Sequence, residues 1–466
     1  MSKDSLIVVH CTGEQPDLVA LHELNPARYP YLLQSIAQST RQVHFDILFA
    51  FPQQTLALQN SGELFLRTVD GATLSINEKS DFLMAFDEYW RAHRNATNIT
   101  HHDIPFRGGW FLYLGYELAQ QIEPSLKLPQ ETTSELPIAF ASRVPVAIVV
   151  NRSTGDWYFI AEPEYEDHLV LIKEDVASVD ISNAPGGSGL PANIINRITE
   201  EPDEKYLSGV RRIKEYIKDG DVFQVNLSRL WTADLRPDIS DSTLYRRLMQ
   251  TNPAPFFALA TYKQHAIISS SPERLVKVSG DRIETRPIAG TRPRGDTETL
   301  DAEQLQELIG HPKERAEHIM LIDLERNDLG RVCKPGTVKV NELMTLETYA
   351  HVHHIVSNVQ GRLRRGVTPG EIIRAVFPGG TITGCPKVRC MEIIAELEEQ
   401  PRGAYTGSLG YINHDGSMDL NILIRTLVKN ANAIQLRAGA GIVADSSPEH
   451  ELNETRAKAK GLLLAL

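Results

Sequence analysis

Four cysteines in 466 residues, Cys11, Cys333, Cys385 and Cys390, are too few and too irregularly spaced for a disulfide framework. Buried free thiols in a reducing compartment are the natural reading. The pair in CPKVRC is five apart rather than the three of C-x-x-C, and nothing nearby completes a zinc site. No apolar run approaches the length that spans a bilayer, and the N-terminus MSKDSLIVVHCTG has no small-residue cleavage pattern. The expectation is a cytoplasmic protein without a membrane partner. Lacking a secretion signal, the N-x-T sequons at Asn95 and Asn98 are chance matches. Positive charge is also short. A net charge of −12 with scattered arginines excludes the basic face that nucleic acid requires, and leaves room for a small anion in a local basic pocket. There is no long charge run, low-complexity tract or short-period repeat; 42% hydrophobic and 23% charged residues suffice for a substantial core.

What is present divides at NAPGGSGLPAN, Asn183 to Asn193, where glycine, proline and serine cluster without apolar periodicity. The sequence predicts an N-terminal region over 1–182, a linker over 183–200 and a catalytic region over 201–466. Before the linker, FDILFAF, GELFLRTV and VAIVV read as strands and SDFLMAFDEYWRAH as an amphipathic helix. After it, EKYLSGVRRIKEYIKDGD reads as a helix ending at Gly220, and VFQVNLSRLWTADL as a strand. Further strands are expected at AIISSSPERLVKV, TVKVNEL and AIQLRAGAGIVAD, with helices at CPKVRCMEIIAELEE and the C-terminus. The fold class is α/β (α+β): one large layered unit to which the N-terminal part contributes.

Glu314 and Glu317, in KERAEHIMLIDLERND, are three apart and share a helix face. In SPEHELNETRAKAK, Ser447 caps a helix, Pro448 suits its first turn, and Glu451, Glu454 and Lys458 follow on one face. Four carboxylates converging from two helices would make an oxygen-rich Mg2+ site; two solvated helix faces are the bland alternative. Glycines in FPGGTITGCPK, YTGSLGY and RAGAGIVAD let backbone N–H groups approach an anion, but none forms a Walker loop. Arg425, within the apolar, strand-like NILIRTL, suits either a bidentate carboxylate or a structural salt bridge. In HVHHIVS, strand alternation separates His354 from His351 and His353, which disfavours a metal triad and leaves His354 as a catalytic or hydrogen-bonding group.

In this order, SPERL, RPIAGTRPRG, ERAEHIMLIDLERNDLG, HHIVS, FPGGTITGCPKVRCMEII, YTGSLGY, RAGAGIVAD and ELNETRAKAK resemble the chorismate-utilising enzymes. The resemblance implies a large two-sheet sandwich with helices outside and the active site buried between the sheets. It implies that Glu314, Glu317, Glu451 and Glu454 hold Mg2+, which binds the ring carboxylate of chorismate. Arg425 and Tyr405 would hold the enolpyruvyl carboxylate, assisted by Lys458 and the backbone of Gly439 and Gly441, with Thr291, Thr381 and Gly384 lining the remaining wall. Glu273, in SPERL, matches the general acid that expels the ring C4 hydroxyl, a role that needs a pKa raised by burial.

Where water-using members of this family carry a lysine base, this chain has Gln224, in FQVNLS. An amide cannot deprotonate water but can orient ammonia, which is already nucleophilic. The implied activity is amination, with ammonia from a separate glutaminase subunit, since no nucleophile elbow with a catalytic cysteine is present. Ala289, in RPIAGT, replaces the lysine that attacks ring C2 in the C4-aminating members and by itself favours anthranilate formation. The first half, with YLLQS in place of the LLES of tryptophan-regulated relatives, and with GGWFLYLGYEL, leans instead to 4-amino-4-deoxychorismate, which is the expectation adopted. A non-catalytic chorismate or tryptophan sensor is the remaining alternative.

Overall fold

The computed structural model describes residues 6–36, 44–76, 81–94, 103–131, 134–179, 190–191, 193–294, 297, 299–301, 306, 312–348 and 352–466, with backbone alone at 289, 291–293, 312–314 and 352. Most of the linker stretch, His351, Asn95, Asn98 and the side chains of Ala289, Thr291 and Glu314 therefore lie outside the described residues.

Among the described residues the strands form two twelve-stranded antiparallel sheets. The first runs from Ile7–Cys11 at one edge through Val146–Asn151, Phe45–Ala50, Tyr31–Gln34, Phe256–Tyr262, His265–Ser271, Thr426–Asn430 and Ala433–Ile442 to Gln224–Leu235 and Ile195–Glu200. The second runs from Ile288–Pro293 through Val352–Arg362, Arg282–Thr285, Arg274–Ser279, Met418–Asn421 and Ser408–Asn413 to Gly109–Leu114, Ala139–Val144 and Gln54–Leu58. Residues from both sides of the glycine-rich stretch share each sheet: Leu32 pairs with Leu259 in the first, and Phe111 with Tyr411 in the second.

Alternation along these strands produces three apolar layers. Between the sheets, Tyr31, Ile47, Phe49, Phe111, Tyr113 and Phe140 interdigitate, with the rings of Tyr31 and Phe111 stacked at 4.1 Å. Burying rings of this size contributes about 2–3 kcal/mol each, and deleting one costs about 3–5 kcal/mol. The outer face of the first sheet is covered by Leu18–Leu24, Asp241–Thr251 and Pro448–Ala465, and that of the second by Phe82–Ala92 and Pro369–Val376. Local signals set these helices. Thr368 accepts from the Glu371 N–H while Glu371 accepts from the Thr368 N–H at 2.8 Å, so a reciprocal cap starts Pro369–Val376. Asp87 of Phe82–Ala92 then accepts from the Gly370 N–H at 2.8 Å, tying the two helices together. Asp203–Asp219 ends at Gly220, whose φ of 85° is a left-handed cap.

A cavity of about 970 Å3 lies against Gln34, Phe257, Arg274, Arg286, Ile288 and Tyr411. Among the described residues, none of those predicted to act on substrate lines it.

Candidate active site

Two places where the chain changes sheets position the central side chains. AIISSSPERLVKV is not one strand: His265–Ser271 belongs to the first sheet and Arg274–Ser279 to the second, with Pro272 and Glu273 between them. Proline has no N–H to give a ladder, so the pairing ends there. NILIRTL is likewise corrected. Met418–Asn421 lies in the second sheet and Thr426–Asn430 in the first, and Arg425 between them has φ 55°, a left-handed conformation outside the extended region of a regular strand. The two crossings are laced together. Ser271 Oγ donates to Ile422 O at 2.5 Å, the Ile422 N–H to Glu273 O at 3.0 Å, and the Ser270 N–H to Arg425 O at 3.0 Å.

Glu273 is buried, and its carboxylate accepts from the Ile288 N–H at 3.5 Å. Burial pushes its pKa up to about 8; the Thr381 hydroxyl and Lys458 oppose the shift, while Glu325 adds to it. The group is thus a neutral acid at pH 7. Glu325, on the helix Pro312–Gly330, is also raised by burial and by Asp328, which Lys387 pairs at 2.6 Å. His354 is lowered to about 4 by burial and by the Arg425 guanidinium, so it is a neutral imidazole, while His353 on the other face binds Asp301 at 2.8 Å. Arg425 makes no ion pair among the described residues; burial lowers its pKa, and Tyr405 and Glu454 counter that effect.

Gln224 lies against Gly441, and Lys458 and Tyr405 against Gly439, two residues earlier on the same strand. A Cβ on Gly441 would sit 2.3 Å from Gln224 Nε2, and one on Gly439 would sit 2.7 Å from Tyr405 OH. Only glycine admits these side chains so close to the sheet. Lys458 donates to Gly439 O at 3.1 Å and pairs with Glu454 at 2.7 Å. Gly384 pairs with Val225, where a Cβ would collide with Gln224 O. The substituents predicted for catalysis and clamping, Glu273, Thr381, Lys458, Glu454, Arg425, Tyr405, His354, Gln224, Gly384, Gly439 and Gly441, are therefore linked by successive short contacts or fields.

The acids on Pro448–Ala465 fit a hard cation in donor chemistry. His450, Glu451 and Glu454 present ligand atoms that all lie within 4.8 Å of one another. Burial opposes ionisation of Glu454, but Lys458 and His450 outweigh it and hold the carboxyl below its usual range. Glu451 and Glu454 also hydrogen-bond to each other, and carboxylates this close share either a proton or a cation. Glu317 is half-buried on Pro312–Gly330, which packs on Ile288–Pro293 and Val352–Arg362.

Sequence reasoning missed Asn226, Glu325 and His450. Asn226 was within reach, since the alternation that makes FQVNLS a strand puts it on the face of Gln224. Glu325 was hidden among the acids of LERND, where nothing local marks the buried one. A further missed group is ionic: Glu398 accepts from Arg402 at 2.6 Å, from the Ser228 N–H at 2.9 Å and from Arg437 at 3.5 Å, bracing the strand beneath Asn226.

The architecture is a two-sheet sandwich with a buried acid and a buried arginine at its two sheet crossings. The chain belongs to the chorismate-binding enzyme family, whose pattern matches residues 31–464. It is 44% identical over 381 residues to an anthranilate synthase component I-like protein of Synechocystis, covering 79% of this chain and 74% of the relative. It is 40% identical over 394 residues to aminodeoxychorismate synthase component 1 of Bacillus subtilis, covering 84% and 83%. The crystal structure of anthranilate synthase component I from Streptococcus pneumoniae superposes with a TM-score of 0.77 at 28% identity, over 97% of this chain and 100% of that one. The protein is a chorismate-utilising enzyme of the anthranilate and aminodeoxychorismate synthase type. Among the described residues no helix is long and apolar enough to cross a membrane.

Proposed function

We propose that this chain aminates chorismate with ammonia supplied by a separate glutaminase subunit and releases 4-amino-4-deoxychorismate. The observation that carries amination is Gln224, buried on the site face of its strand with Oε1 unpaired among the described residues. A neutral acceptor there can orient ammonia and cannot activate water. Arg425, without an ion pair among the described residues, and Tyr405 are the clamp for the enolpyruvyl carboxylate. Glu317, Glu451 and Glu454, with Glu314, would hold Mg2+, which when bound supplies positive charge for the ring carboxylate. Neutral Glu273 gives its proton to the departing hydroxyl, which leaves as water as the C–N bond replaces the C–O bond. The extra proton on the new ammonium nitrogen then restores Glu273.

Amination at C4 is supported by Gln34 of YLLQS. Its Nε2 donates to Asp46 at 2.8 Å and its Oε1 accepts from Tyr245 OH at 3.0 Å, so its amide is spent between the sheet and the helix Asp241–Thr251 rather than offered to a tryptophan effector. Component I of such synthases works with a partner, and the purified chain should use ammonium salts but not glutamine. A second reading, anthranilate formation, is favoured by one observation, the alanine at 289. Mass and fluorescence of the product from chorismate, Mg2+ and ammonium separate the two. Non-aromatic aminochorismate with little pyruvate supports C4 amination, whereas stoichiometric anthranilate and pyruvate would overturn it.

A further inference from the structure

The strands Gln224–Leu235 and Ala433–Ile442 pair with Asn226 opposite Gly441 and Ser228 opposite Gly439. Val225, Leu227, Ala440 and Ile442 point to one side, into the core under the helices Asp203–Asp219 and Lys387–Glu398. Gln224 and Asn226 therefore share the opposite face. There they lie over a floor without side chains, since a Cβ at Gly439 would fall 2.7 Å from Asn226 Oδ1. The two residues are 6% and 8% exposed, and both amide oxygens, Gln224 Oε1 and Asn226 Oδ1, are buried without a hydrogen-bond partner among the described residues.

The backbone of Asn226 is fully engaged: its N–H donates to Thr383 O at 2.9 Å and its carbonyl accepts from Arg402 at 2.7 Å. Its side-chain oxygen alone is left over. A buried acceptor without a donor is a standing cost to the fold, and two of them on successive positions of one strand face call for a ligand rich in N–H or O–H donors.

We propose that Asn226 is the second amide of an ammonia pocket, in which Gln224 Oε1 and Asn226 Oδ1 accept two N–H bonds of the incoming NH3. This rests on the amination reading above. Ammonia has three N–H donors and one lone pair, and only the lone pair attacks carbon. Neutral acceptors orient the N–H bonds and leave the lone pair free. A carboxylate in either place would favour ammonium, which has no lone pair to give. The charged groups nearby are otherwise engaged: Glu398 holds Arg402 and Arg437, and Lys458 donates to Gly439 O and Glu454. Among the described residues, the two amide oxygens are thus the unengaged acceptors that this face presents.

The test is a pair of variants, Asn226→Leu and Asn226→Asp, assayed with ammonium chloride at saturating chorismate and with chorismate at saturating ammonium. The expected result is a KM for ammonium raised about tenfold or more in Asn226→Leu and a kcat lowered about tenfold or more in Asn226→Asp, whose carboxylate captures ammonium, with the chorismate KM within about twofold of the unmodified chain in both. Asn226→Asp carries the test if the leucine variant fails to fold, because it keeps the shape. An unchanged ammonium KM in Asn226→Leu, an unchanged kcat in Asn226→Asp, a rise confined to chorismate, or equal rises in both constants would overturn the assignment. Failure of the unmodified chain to aminate chorismate with ammonium is a separate outcome, which sinks the amination reading itself.

Discussion

Replacing Glu273 by glutamine should abolish turnover and at the same time stabilise the protein at alkaline pH. A carboxyl titrating near 8 is about 90% protonated at pH 7, against about 0.3% at the ordinary 4.5, so burial raises the acid form roughly 300-fold. The same shift acts on folding. Between pH 4.5 and about 8 the folded chain keeps a proton that the unfolded chain has released, so stability falls as pH rises through that window and is level above it. The full difference is on the order of 5 kcal/mol. Glutamine is neutral at every pH and escapes it.

Two assays check this. The first follows kcat from pH 6 to pH 9.5 or so with free ammonia held constant, and should show activity lost as pH rises through about 8. The second compares urea unfolding of the two proteins on either side of that window. Glu273→Gln should be slower by about 100-fold to 10000-fold and gain on the unmodified chain only at the alkaline end. The comparison removes Glu117, also raised by burial and common to both proteins, and reads Glu273 together with its mutual repulsion with Glu325. Activity that holds steady beyond pH 9, or a stability difference that ignores pH, would refute the reasoning.

Arg425→Ala should raise the chorismate KM by an amount corresponding to about 2–5 kcal/mol while leaving the unfolding midpoint nearly unchanged, because no ion pair among the described residues is lost with it. A loss of stability without a change in KM would make the arginine structural. Glu454→Gln and Glu317→Gln should each abolish turnover with the circular dichroism spectrum intact, and full activity in excess chelator would remove the Mg2+ assignment. Glu398→Gln should destabilise by about 3–5 kcal/mol in urea titration, since it strands Arg402 and Arg437 as buried charges. A near-neutral effect would mean that those guanidinium groups find water.

The regular elements of this fold were legible because local rules set them. Gly220 ended a helix where its left-handed φ was needed, Ser447 capped the C-terminal helix, and VFQVNLSRLWTADL alternated as a strand. His354 parted from His353 by the same alternation. What could not be read was which strand joins which sheet. In AIISSSPERLVKV and NILIRTL apolar, β-prone residues stand on both sides of the break; Pro272 marks an end of pairing in the first, but a change of sheet leaves no periodicity of its own. Asn226 and Glu325 were hidden for a related reason: an amide in a strand or an acid on a helix gains its meaning from the element packed against it, which is distant in sequence.

Those two illegible crossings explain why the site lies where it does. The interior of the sandwich at its Tyr31 and Phe111 end is closed by aromatic rings, and a charged side chain rising from a regular strand there would have to displace them. At a crossing the chain leaves one ladder before it joins the other, so Glu273 and Arg425 are carried by segments with no strand partner to satisfy. The left-handed φ at Arg425 costs about 1–3 kcal/mol, and the lacing by Ser270, Ser271 and Ile422 holds it in place. Such lacing makes Glu273 and Arg425 one unit: a change that loosens Ser271 should move both, while Lys458 and Glu454 on Pro448–Ala465, whose charges act on them, stay fixed. Ser271→Ala removes the bond to Ile422 O and adds no bulk. It should lower kcat and raise the chorismate KM together, unlike Glu273→Gln, which changes the proton donor alone, and a loss confined to one of those constants would show that the two crossings act independently.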